Sequence, residues 1–123
     1  MPVRLLSSSV LKWPDFHTVD AAIRSWVKKI IGTDQGYHIL QIGYFGSYAR
    51  GDWGVGSDLD VIIILDTSMK PYINRASEWD ITGLPVSVDL LVYTKDEWDH
   101  LCSYSRFYQT IIKEIIWIYK KMV

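Results

Sequence analysis

The run LDVIIIL, residues 59 to 65, restricts the fold of this chain more than any other stretch. Six of its seven residues are apolar, and Val61 to Ile64 are β-branched without interruption. A run that does not alternate fits a strand covered on both faces, so a layer must pack on each side of its sheet. Yet Asp58 and Asp60 stand at the entrance of this strand. Residues two apart on a strand project to the same side, so the two carboxylates point together while Leu59 points away. Like charges so close repel and raise a pKa unless something neutralises them. Solvent at a strand end is one answer. A hard divalent cation with oxygen ligands is another, and Mg²⁺ is the usual one where phosphates share the coordination.

A third acid, Asp89, interrupts a second apolar run, VSVDLLV. If the two strands are neighbours, all three acids converge on one patch and can hold two cations across a reacting phosphate. An apolar strand gains nothing structurally from such interruptions. Upstream, Gly46 permits a sharp exit from an apolar strand and close approach of a ligand to the backbone. Ser47 then opens a helical turn, YARG, whose N–H groups can receive phosphate oxygens. Arg50 lies in that turn. Ser57, directly before Asp58, is placed to tie down the loop and is a further candidate for nucleotide contact.

Around these residues the chain reads as a small mixed sheet backed by helices, in the α/β or α+β range. Apolar residues from Phe16 to Ile31 recur at helical spacing, with Pro14 suiting a start and Gly32 a stop, which predicts a helix over 15–31. YHILQIGYF predicts a strand over 38–45, and four glycines in residues 46–57 predict turns. Pro71 opens a short helix through Trp79, a third strand covers 86–93, and Thr94 with Glu97 has capping-box spacing for another helix. In the tail, SRFYQTIIKEIIWIYKKMV predicts a helix to about Lys113 and then a short strand, because IIWIYK is β-branched and aromatic.

The length of 123 residues fits one domain, 1–123, with its motif core in 38–93. Thirteen basic and fourteen acidic residues argue against a broad nucleic-acid surface, since nonspecific affinity comes from neutralised phosphates. Cys102 is the only cysteine, which excludes an intrachain disulfide and a multi-cysteine zinc site. MPVRLLSSSVLKW has a serine interruption where a signal peptide needs an apolar core, and no stretch approaches a membrane span. The expectation is a cytoplasmic protein with no membrane partner.

GSYARGDWGVGSDLDV resembles the signature of the DNA polymerase β-like nucleotidyltransferase superfamily: an apolar strand, Gly-Ser, a spacer, then Asp-x-Asp framed by apolar residues. The resemblance extends from His38 to Tyr93, and the later Asp89 also matches. It is strongest to the minimal nucleotidyltransferases, single catalytic domains often paired with a small all-helical HEPN protein in toxin–antitoxin modules. It implies the nucleotidyltransferase fold, with Asp58 and Asp60 binding two Mg²⁺ ions and Asp89 helping to bind the catalytic ion and activate an acceptor hydroxyl. Gly46 and Ser47 would hold the triphosphate, and Arg50 matches the family's GSxARG. The implied reaction is attack on the α-phosphate of ATP or another nucleoside triphosphate, with AMP passing to a tyrosine of a HEPN-type toxin partner.

Two rivals stand beside that reading: an antitoxin that acts by binding alone, and a transferase for small molecules, which the thirty residues after Tyr93 give little means to enclose. A homo-oligomer is a further possibility. His17, His38 and His100 are scattered without ligand spacing. Cys102, Trp26 and Trp79 read as packing residues, Asp66 lies at the far end of its strand, and Asp52 reads as a solvated loop acid. Trp53, in the glycine-rich loop, is a candidate for stacking on a base or docking a partner, or for folding back on its own domain.

Overall fold

Four strands form one sheet: β1 (Ile39–Phe45), β2 (Leu59–Leu65), β3 (Val88–Thr94) and β4 (Ile116–Lys120). Their order is β3-β2-β1-β4, and the computed structural model describes residues 13–103 and 105–122. The LDVIIIL run is an inner strand, and Leu59, Val61, Ile62, Ile63 and Ile64 are fully buried. β1 pairs antiparallel with both β2 and β4, whereas β2 and β3 run parallel. The N-terminal run weighed above as a signal peptide falls largely in residues 1–12, outside the described residues.

Helix α1 (Phe16–Ile31) covers one face of the sheet, with Val19, Ile23, Trp26 and Val27 packed among Leu59, Val61 and Ile63. Asp15 caps it by accepting from the Thr18 N–H at 2.8 Å. The opposite face carries Ile62 and Ile64, covered by Trp98 of α4 (Lys95–Cys102) and Ile111 of α5 (Arg106–Glu114). Alternation along β2 therefore sends Leu59, Val61 and Ile63 to α1, and Asp60, Ile62 and Ile64 to α4 and α5. Two short helical turns, α2 (Ser47–Arg50) and α3 (Tyr72–Arg75), complete the set of α-helices among the described residues.

Most expected elements are present, with shifts at their ends. Residues 35–38 form a 3-10 turn, so β1 begins at Ile39 rather than His38. β3 begins at Val88 because pairing with β2 starts there, while Val86 is buried without being part of the strand. The helix expected from Pro71 to Trp79 is one α turn followed by a 3-10 turn over Ala76–Glu78. Its Arg75 is buried and bonded to Glu97. The Thr94–Glu97 capping box is formed in both directions, at 3.3 and 2.8 Å. The tail divides into helix and strand as its composition implied. No helix among the described residues is long and apolar enough to cross a membrane.

Candidate active site

The end of β1 lies beside the starts of β2 and β3, and the register aligns Phe45 with Asp60 and Asp60 with Asp89. Asp60 and Asp89 are thus direct neighbours in a parallel pair, with side chains on the face covered by α4 and α5. Asp58 precedes β2 by one residue. Together with Gly46, Ser47 and Arg50 these three acids line one cavity of about 350 Å³. Six of the seven residues singled out in the sequence are brought to this place.

The acids are unequal. Asp60 is half-buried and Asp89 is exposed. Burial raises the Asp60 carboxyl to about 6, assisted by the negative charges of Asp89 and Asp58 and by a hydrogen bond with Asp89, against the opposing pull of Arg50. A shared proton is one way to relieve such crowding, and a cation is another. The all-oxygen donor set fits a hard divalent ion in chemistry. As the side chains stand, no group of three or more His, Cys, Asp or Glu among the described residues forms a metal-holding cluster.

Gly46 leaves β1 with φ 82° and ψ −157°, a backbone conformation in which L side chains are strained. A Cβ there would meet Asp60 Oδ2 at 2.1 Å, so this glycine brings the backbone against the carboxylate. The turn that follows is closed by the Arg50 N–H donating to the Gly46 carbonyl at 3.0 Å. Tyr48 anchors it below: its ring is fully buried and its hydroxyl donates to the Pro14 carbonyl at 2.9 Å, next to α1.

Ser57 is not brought to the cavity lining. Its Oγ instead accepts from the Gly54 N–H at 2.8 Å, tying down the loop that delivers Asp58. Trp53 is also directed elsewhere, lying stacked on Tyr48 with ring centroids 5.7 Å apart and packed against the core. Of the three roles open to Trp53, the indole takes the last and folds back on its own domain. His38 bonds to Asp66 at the far end of β2, and Cys102 ends α4 with its thiol directed to the Trp98 carbonyl.

Apart from Phe45 at the end of β1, the lining residues that sequence reasoning missed lie on α5. Phe107, Thr110, Ile111 and Glu114 form the wall opposite the acids, with Phe107 edge-on to Phe45 at 6.0 Å. Glu114 accepts from the Gly46 N–H at 2.5 Å and from Arg50 Nη1 at 3.1 Å. Helical spacing in RFYQTIIKE marks one face of α5, but nothing local tells which cavity that face meets. The view that the tail offers little to enclose a ligand is corrected by this wall.

The family model of the nucleotidyltransferase domain matches residues 24–118, a span that includes β1 to β3, all three acids and the first three residues of β4. The chain belongs to the nucleotidyltransferase family. Two solved structures share the fold of this nucleotidyltransferase-family chain. One, from Sulfolobus solfataricus and provisionally described as a nucleotidyltransferase, is 18% identical with a TM-score of 0.62, covering 86% of this chain and 84% of that one. The other is a toxin–antitoxin structure with AMP-PNP, 20% identical with a TM-score of 0.51, covering 80% of this chain and 74% of that one. No curated protein matches the chain significantly.

Proposed function

We propose that this chain transfers a nucleoside monophosphate, AMP from ATP in the first instance, to a hydroxyl of a partner protein, as the antitoxin of a toxin–antitoxin pair. The observation that carries the chemistry is the register of Asp60 and Asp89, opposed on one sheet face with Asp58 beside them and the Gly46–Arg50 turn at the rim. Family membership supports the reaction class, and the shared fold of a toxin–antitoxin protein with AMP-PNP supports this partner class.

In this reading Ser47 and Arg50 hold the phosphates, and Asp58, Asp60 and Asp89 would hold Mg²⁺, which supplies charge neutralisation at the α-phosphate when bound. The acceptor oxygen bonds to the α-phosphorus as the bond to the bridging β-phosphate oxygen breaks. Pyrophosphate leaves with that electron pair, and the acceptor's proton passes to Asp89. Asp89 suits this role because it is exposed at the cavity, whereas Asp60 is half-buried against Gly46. The turn and acids act by positioning and electrostatics rather than by covalent chemistry.

A cavity of about 350 Å³ is near the lower end of small-ligand sites, roughly 300–1,000 Å³. That supports a donor nucleotide whose acceptor arrives from outside, hence a macromolecule. The α5 wall favours a second reading, a small hydroxylated acceptor lodged against Phe107 and Thr110. The deciding experiment co-purifies the native protein with its bound neighbour and takes intact masses with and without ATP and Mg²⁺. Addition of AMP to the neighbour supports protein transfer. Magnesium-dependent pyrophosphate release with an unmodified neighbour and an adenylylated small molecule supports the second reading, and no transfer to either defeats both.

A further inference from the structure

We infer that Glu114 is a positioning residue for triphosphate binding, pinning both ends of the Gly46–Arg50 turn with one carboxylate. The inference rests on the nucleotidyl-transfer reading above. Glu114 is the last residue of α5, 68 positions beyond Gly46, and its side chain is only 14% exposed. Its Oε2 accepts from the Gly46 N–H at 2.5 Å and from Arg50 Nη1 at 3.1 Å, and Oε1 accepts from the same nitrogen at 3.3 Å. One partly buried acid thus bonds the first and last residues of the turn at once.

Arg50 is otherwise poorly constrained. Its side chain is 46% exposed at the rim, and its remaining partner is the exposed loop acid Asp52, reached by Nε at 3.1 Å. An unrestrained arginine carries about 2 kcal/mol of rotamer entropy that phosphate binding would have to remove. The two carboxylates hold the guanidinium by Nε and Nη1 and leave Nη2 to meet an anion. A group held in its binding geometry beforehand raises affinity by lowering the cost of ordering. Glu114 also consumes the Gly46 N–H, so it leaves the Ser47 hydroxyl, the later N–H groups at the start of the turn and Arg50 for the ligand.

A carboxylate beside these donors has an opposite possible effect, competition with phosphate for them, and the two differ in sign. The test uses wild type, Glu114→Gln and Glu114→Ala, titrated in Mg²⁺ with α,β-methylene-ATP and separately with AMP, and assayed for transfer with ATP. Thermal melts select folded variants; Gln keeps the size of the side chain should the Ala variant fail to fold. We expect Glu114→Gln to weaken the triphosphate analogue about 10-fold or more, as loss of charge-assisted bonds implies. AMP should change far less, and KM should rise more than kcat falls. The loss should shrink in an Arg50→Met background, where there is no guanidinium to position. A general structural defect would weaken both nucleotides alike and would overturn the inference. So would equal or tighter triphosphate binding by Glu114→Gln while wild type binds and transfers, and the nucleotidyl-transfer reading would then stand. Failure of wild type to bind either nucleotide would defeat that reading and this inference together.

Discussion

Gly46 and Asp60 are so close that a side chain at position 46 would have to displace the carboxylate, because an added Cβ would lie 2.1 Å from Asp60 Oδ2. The obstructing atom ends a rotatable side chain, so the fold can yield by turning the carboxylate away. The backbone cannot yield as readily, since φ is 82°. Gly46→Ala should therefore cost about 1–3 kcal/mol of stability, the usual range for such strain. Its effect on activity should be disproportionate, since a misplacement of about 1 Å can cost on the order of 100-fold. Denaturant melts beside a transfer assay with α-labelled ATP check both halves.

The second prediction concerns pH. Asp60 has its carboxyl raised from 3.8 to about 6, first by burial and then by Asp89 and Asp58. The folded chain thus binds this proton more tightly than the unfolded chain, and stability falls with rising pH wherever that is so. In metal-free buffer the penalty should be absent below 3.8, grow between 3.8 and about 6, and be complete above that. Asp60→Asn should flatten this part of the profile and be at least as stable as wild type at neutral pH. Denaturation in EDTA from pH 4 to 8 measures it, and a strongly destabilised Asn variant would make Asp60 a structural residue.

A third prediction separates chemistry from folding. Asn at Asp58 or Asp89 should lower transfer by about 1,000-fold or more, since electrostatic stabilisation at the reacting group is often the largest catalytic contribution. Melting temperature should stay near wild type, because Asp58 and Asp89 are both exposed. Magnesium should stabilise wild type more than either variant, a difference visible without any turnover.

Far from the cavity, Arg75 offers a structural counterpart. Its guanidinium is buried, bonded to Glu97 at 2.5 Å and to the carbonyls of Lys70 and Val92 at 2.9 and 3.2 Å. Glu97 is 41% exposed, so water takes up the acid left behind, and Arg75→Ala should cost about 1–3 kcal/mol through the unpaired Lys70 and Val92 carbonyls. The Arg75 bond also holds the Glu97 carboxyl below its ordinary 4.5. Its stabilising contribution is present above that pH and is lost as pH falls through the lowered value. Acid unfolding of Glu97→Gln should lack this component.

How far the sequence foretold these features depends on the range of the interactions. Asp58, Asp60 and Asp89 were legible because each breaks an apolar pattern within a few residues of itself. The partition of the tail was legible too, since β-branched and aromatic residues gather in IIWIYK. Glu114 was not, because in IIKEII it reads as a solvated charge at an element boundary. Its partners lie 64 and 68 positions away, across the sheet order that places β4 beside β1. Ser57 and Trp53 were ambiguous for a related reason. A loop hydroxyl or ring finds its partner through backbone geometry, and Gly54 and Tyr48 claim them here.

The pairing of Asp60 with Asp89 has a last consequence, for the uniformity of a preparation. Side chains alternate faces along a strand, so a slip of β3 against β2 that keeps the same face inward moves it by two residues and breaks the opposition of the two acids. A slip that turned β3 over would drive Asp89 in among Leu59 and Val61, where an unpaired carboxylate costs several kcal/mol. Misregistered molecules are thereby penalised by the same residues that make correctly registered ones competent. Folded but inert molecules should be scarce, and the count of working sites in a soluble sample should approach the count of chains.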